Sequence, residues 1–167
     1  SLTGIMDHSI LSGREDKAKL KKWLTEMRNE AIVTNEHWAK RLGINPSVAI
    51  TAVKPSGTVS QLVDSASGIH PRYSSQYIRR VRADARDPLC GVLEAAGVPV
   101  EDDLMSPSTR VFSFPIASPE GAVTASDMGA MEQLDLWEIY QDYWCEHKPS
   151  MTCYYRDEEF LEVGQWL

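Results

Sequence analysis

The stretch Ala49-Ile50-Thr51-Ala52-Val53-Lys54-Pro55-Ser56-Gly57-Thr58-Val59-Ser60-Gln61-Leu62-Val63 joins a β-branched apolar run to a short helical pattern through a small turn. Pro55 cannot extend a hydrogen-bonded ladder, so the order reads strand, turn, helix. Such a junction brings backbone N–H groups, two hydroxyls and a helix start to one point, which suits an anion such as phosphate. Gly57 lets a ligand approach the backbone, and the N–H groups of Gly57, Thr58 and Val59 face the helix start. A plain connection in which Ser56 or Thr58 merely caps the helix reads the same residues. Walker A spacing is absent, because Lys54 precedes the turn instead of following it.

On the N-terminal side of this turn, Leu20, Trp23, Leu24, Met27, Ala31, Trp38 and Leu42 recur at helical spacing. They predict a long helix over Lys17–Leu42 with one apolar stripe, stopped by Gly43 and by Asn45-Pro46. Val48–Val53 reads as a buried strand, Val59–Asp64 as a helical turn and Ser65–Ser75 as a loop. Beyond it, Tyr77–Asp84 and Thr109–Ile116 read as strands. Asp87-Pro88 opens a helix that ends at Gly97. Ser126 or Asp127 caps a second long helix, Ser150–Tyr155 reads as a strand, and Asp157–Leu167 begins another helix. Alternating helices and strands place the chain in the α/β class.

At 167 residues the chain holds one domain with a core but is short for a whole α/β barrel. A formal charge of −7 argues against nucleic acid or an anionic membrane as partner. No apolar run is long enough to span a bilayer, and no signal-peptide pattern opens the chain. Cys90, Cys145 and Cys153 lack CxxC or metal-like spacing, so they read as reduced thiols in a cytoplasmic setting. The opening Ser1-Leu2-Thr3-Gly4-Ile5 and the closing Gln165-Trp166-Leu167 suggest that residues 1–167 are a single segment of a longer chain.

Three further groups bear chemistry. His70, in Ser67-Gly68-Ile69-His70-Pro71-Arg72-Tyr73, fits either a general acid–base or a loop histidine bonded to backbone, the latter being favoured. Arg72 fits a carboxylate or a phosphate partner. Arg79, Arg80, Arg82 and Arg86 read as ion-pair partners of Asp84, Asp87 or the Glu101-Asp102-Asp103 run, since no stacking aromatics are interleaved with them. Tyr154 and Tyr155, on opposite faces of the expected strand, read as packing, with a radical or proton role as the alternative.

Taken together, Ala52-Val53-Lys54-Pro55-Ser56-Gly57-Thr58-Val59-Ser60-Gln61-Leu62 and Ser65-Ala66-Ser67-Gly68-Ile69-His70-Pro71-Arg72-Tyr73 resemble the ribonucleotide reductases. Within that family the likeness is to the adenosylcobalamin-dependent (class II) ribonucleoside-triphosphate reductases. Ser1-Leu2-Thr3-Gly4-Ile5-Met6-Asp7, Pro149-Ser150-Met151-Thr152 and Arg156–Gly164 extend it to both ends. The resemblance implies a late part of a ten-stranded α/β barrel that converts ribonucleotides to deoxyribonucleotides by thiyl-radical chemistry. It places the substrate's phosphates on Ser56, Gly57, Thr58 and Val59, with Ser60 adjacent.

The same resemblance implies adenosylcobalamin as cofactor, a ribonucleoside di- or triphosphate as substrate and a thioredoxin-type reductant, all in the cytoplasm. The family's radical cysteine lies in an Asn-x-Cys-x-Glu motif absent here, and none of the three cysteines matches its reducing pair. No catalytic residue and no metal ligand is therefore expected in this segment, which alone should be inactive. A sibling reductase class, a non-catalytic phosphate-binding α/β module and a purely structural domain remain alternatives.

Overall fold

The computed structural model describes residues Ser1–Trp166, which fall into two compact units. One comprises Ser1–Tyr73 and the chain from Pro119 onward; the other is Ser74–Ser118.

The first unit is built on helix α1 (Lys17–Leu42) and helix α4 (Ala130–Tyr143), which pack on each other. Asp16 caps α1 by accepting the N–H groups of Ala18 and Lys19, and Gly43 ends it at φ 69°, a left-handed conformation that glycine adopts without steric cost. The expected stripe is buried only in its first half. Leu20 and Leu24 are fully enclosed with Leu136, Ile139 and Tyr140 of α4, whereas Trp38 and Leu42 are 48% and 65% exposed. At the N-terminus of α4 the structure corrects the expected cap. Gly129 is the cap residue, its N–H donating to Glu132, while Glu159 accepts the N–H of Ala130 at 2.9 Å. Asp127 instead closes the preceding turn by accepting the N–H of Thr124.

Two expected strands do not form ladders. In Val48–Val53 only Val53 bridges, in parallel, to Leu2. The neighbouring N–H groups of Ile50 and Thr51 go to the carboxylate of Glu146 instead. Over Ser150–Tyr155 the main chain likewise serves side chains: Thr152 donates to His70, and the Tyr154 carbonyl accepts from Gln133. Both segments carry the strand composition, but a strand also needs a neighbouring strand's backbone. The short helix α2 (Val59–Leu62) and the terminal helix α5 (Phe160–Trp166) form where helical patterns were read. Leu167, at the end of the last predicted helix, lies outside the described residues.

The second unit is an antiparallel sheet ordered β1 (Gln76–Asp84), β3 (Thr109–Ala117), β2 (Val100–Asp102), with helix α3 (Pro88–Ala95) between β1 and β2 in sequence. Register pairs Arg80 with Ser113 and Val81 with Phe112. Asp87 caps α3 as expected. The arginines find the acids: Arg82 meets Asp103 at 2.7 Å, Arg86 meets Asp84 at 3.2 Å, and Arg80 pairs with Glu101. Arg80–Glu101 and Arg86–Asp84 are exposed on both sides, and surface pairs of this kind contribute little to stability. The chain is a mixed α/β structure whose sheet is antiparallel.

Candidate functional site

The turn after Pro55 is assembled from three stretches of chain. The Ser56 N–H donates to the hydroxyl of Ser67 at 2.8 Å, tying the turn to the following loop. The Ser56 hydroxyl in turn accepts the N–H of Ser60 at 2.9 Å, and the Ser60 hydroxyl donates back to the Ser56 carbonyl. Ser56 thus caps α2. Ser60 is fully buried, and its side chain braces the turn from within. Gly57, Thr58 and Val59 are exposed. Among the described residues, no group accepts the N–H of Thr58 or Val59, and the Thr58 side chain makes no cap. A Cβ added at Gly57 would meet nothing within 4 Å. The exposed turn thus carries two backbone donors and a hydroxyl at the start of a short helix.

The adjacent loop is held at close quarters. Gly68 sits at φ 54°, and a Cβ there would stand 2.8 Å from the Lys54 carbonyl oxygen. No other residue fits that approach without displacing backbone. Thr3 donates to the Ala66 carbonyl at 2.9 Å and accepts the Gly68 N–H at 3.2 Å. His70 uses both ring nitrogens: Nε2 accepts the Thr152 N–H at 3.0 Å, which leaves Nδ1 to donate to the Ser67 carbonyl at 3.0 Å. The loop-histidine reading is the one found.

Arg72 is buried at 5% exposure and grips Asp7 with two bonds of 2.8 and 3.0 Å. It also donates to the Asp64 carbonyl at 2.8 Å, where Asp64 stands at a left-handed φ of 48°. Its partners are carboxylate and carbonyl, as one of its two expected roles required. A buried bidentate pair of this kind fixes geometry more than it adds stability.

Glu146 anchors the segment leading into the turn. Accepting the N–H groups of Ile50 and Thr51 holds its carboxyl below the usual glutamate range. Neither Glu146, Ser67 nor Asp7 was expected from sequence to bear on the site. Tyr154 and Tyr155 are 63% and 53% exposed, so neither is a packing residue of a strand. All three cysteines are free thiols, and burial pushes each thiol up, away from the thiolate. Among the described residues no helix is long and apolar enough to cross a membrane.

No family model matches the chain. Over its whole length it is 29% identical to the adenosylcobalamin-dependent ribonucleoside-triphosphate reductase of Lactobacillus acidophilus, covering 26% of that protein. It is 31% identical to that of Lactobacillus leichmannii over 87% of this chain and 20% of the relative. The corresponding figures for Levilactobacillus brevis are 32%, 83% and 19%. A crystal structure of a B-12-dependent (class II) ribonucleotide reductase superposes with a TM-score of 0.77 at 29% identity, over 89% of this chain and 21% of that one. The chain thus spans about a fifth to a quarter of the relatives it matches. Sequence and fold together make it a homologue of one segment of the adenosylcobalamin-dependent, class II ribonucleotide reductases.

Proposed function

We propose that this chain is the part of a ribonucleotide reductase that holds the phosphates of a ribonucleoside triphosphate, through the turn at Ser56, Gly57, Thr58 and Val59. The observation that carries the reading is the exposed turn itself. Among the described residues no group accepts the Thr58 or Val59 N–H, Thr58 is exposed, and a Cβ at Gly57 would meet nothing within 4 Å. Phosphate oxygens are strong acceptors, and backbone donors at a helix start suit them without a cationic side chain. Ser60, adjacent to these donors, is buried and braces the turn from within.

The curated relatives carry adenosylcobalamin in their names. In this segment the described residues include no group of three His, Cys, Asp or Glu side chains able to hold a metal ion. The radical and reducing chemistry, with its thioredoxin-type reductant, is assigned to the remainder of a full-length reductase. This segment contributes binding and orientation of the substrate.

A titration of the full-length chain with a ribonucleoside triphosphate tests the reading. Thr58→Ala removes one donor to a charged acceptor and should weaken binding about tenfold. Gly57→Val should weaken it further, because the added side chain would occupy the ligand's approach while meeting no protein atom within 4 Å of its Cβ. Equal affinity in wild type and both variants would overturn the proposal.

A further inference from the structure

Resting on the phosphate reading of the turn, we infer that Ser67 is a positioning residue for it: the loop carrying Ser67 sets the direction in which the Thr58 and Val59 donors point. The Ser67 hydroxyl takes the Ser56 N–H at 2.8 Å, so the first donor of the turn is bound to protein and not to ligand. That bond fixes the peptide between Pro55 and Ser56, and the two Ser56–Ser60 bonds close the turn across the Thr58 and Val59 donors. Directional hydrogen bonding of this kind loses strength steeply as its angle bends.

Ser67 is itself fixed from both sides. Its carbonyl accepts from His70 Nδ1, whose ring is held at the opposite nitrogen by the Thr152 N–H. Its neighbour Gly68 donates to Thr3 and lies directly against the Lys54 carbonyl, immediately before Pro55. The loop and the turn therefore form one braced unit, with Ser67 as the polar link. Preorganised donors give up less on binding than donors that must first be ordered.

The experiment uses the full-length chain as wild type, Ser67→Ala, Ser67→Thr and Gly57→Val. Dissociation constants are measured for a ribonucleoside triphosphate and for the same nucleoside without phosphates, together with KM and kcat. Ser67→Ala should weaken triphosphate binding about tenfold. Its loss should appear in KM with kcat nearly unchanged, as for an interaction made equally in ground and transition states. Nucleoside affinity should not move, and Ser67→Thr, which keeps the hydroxyl, should restore the triphosphate. If Gly57→Val is impaired while Ser67→Ala binds like wild type, the turn holds phosphate and the role given to Ser67 is wrong. If Gly57→Val also binds like wild type, the phosphate reading falls, and this inference with it. A Ser67→Ala defect that spreads to nucleoside affinity and kcat, without rescue by threonine, marks a general structural role and overturns the inference.

Discussion

Two glycines, Gly57 and Gly68, do opposite work. At Gly68 the missing Cβ makes room for protein: φ is 54° and the Lys54 carbonyl oxygen lies 2.8 Å from where the Cβ would sit. At Gly57 the missing Cβ leaves room for something else, since nothing lies within 4 Å. Gly68→Ala should therefore destabilise the protein by about 1–3 kcal/mol in chemical denaturation, through strain at a left-handed position and a backbone clash. Gly57→Ala should leave the denaturation midpoint unchanged. Equal midpoints for the two variants would contradict this division. The buried Arg72–Asp7 pair belongs to the same scale, joining residues 65 positions apart and fixing the end of α2 through the Asp64 carbonyl.

Among the elements, the segment entering the turn is held by the Glu146 carboxylate and a single parallel bridge from Val53 to Leu2, and not by a strand ladder. Glu146 has its carboxyl lowered by the Ile50 and Thr51 N–H groups. A group whose pKa is lower folded than unfolded contributes stability above its unfolded value and loses it as pH falls through the folded value. Unfolding followed from neutral to acid pH should therefore show Glu146→Gln destabilised at neutral pH and converging on wild type at the acid end. A constant difference across that range would contradict the anchor. Helix α1 was legible because its apolar spacing and Gly43 are local signals, and β1 and β3 because their composition and their partner strands coincide. The strand readings of Val48–Val53 and Ser150–Tyr155 went wrong where composition was right but main-chain partners were side chains. Strand β2, three exposed residues with two acids, carries no pattern to read. Ser67 and Glu146 act across 11 and 95 positions, and no local motif announces a contact of that kind.

For the molecule as a whole, the division into two compact units implies two cooperative units of stability. Phe112, 1% exposed, is the largest enclosed side chain of the sheet unit. Phe112→Ala should cost that unit about 3–5 kcal/mol. Hydrogen exchange should show the lost protection confined to β1, α3, β2 and β3, with amides of α1 and α4 unchanged; a uniform loss would mean one unit. The mixed α/β class was legible from alternating helical and strand patterns, and the likeness to the class II reductases because five separated stretches agreed. The division at Tyr73 and Pro119 was not, since no composition shift marks it. What the molecule contributes to a reductase, on this account, is a braced turn that offers backbone donors to phosphate. The most direct measurement is a crystal structure of the full-length chain bound to a ribonucleoside triphosphate. Phosphate oxygens should lie about 2.7–3.2 Å from the Thr58 and Val59 nitrogens, with Ser67 still accepting the Ser56 N–H. Phosphates bound elsewhere, with the turn empty, would contradict it.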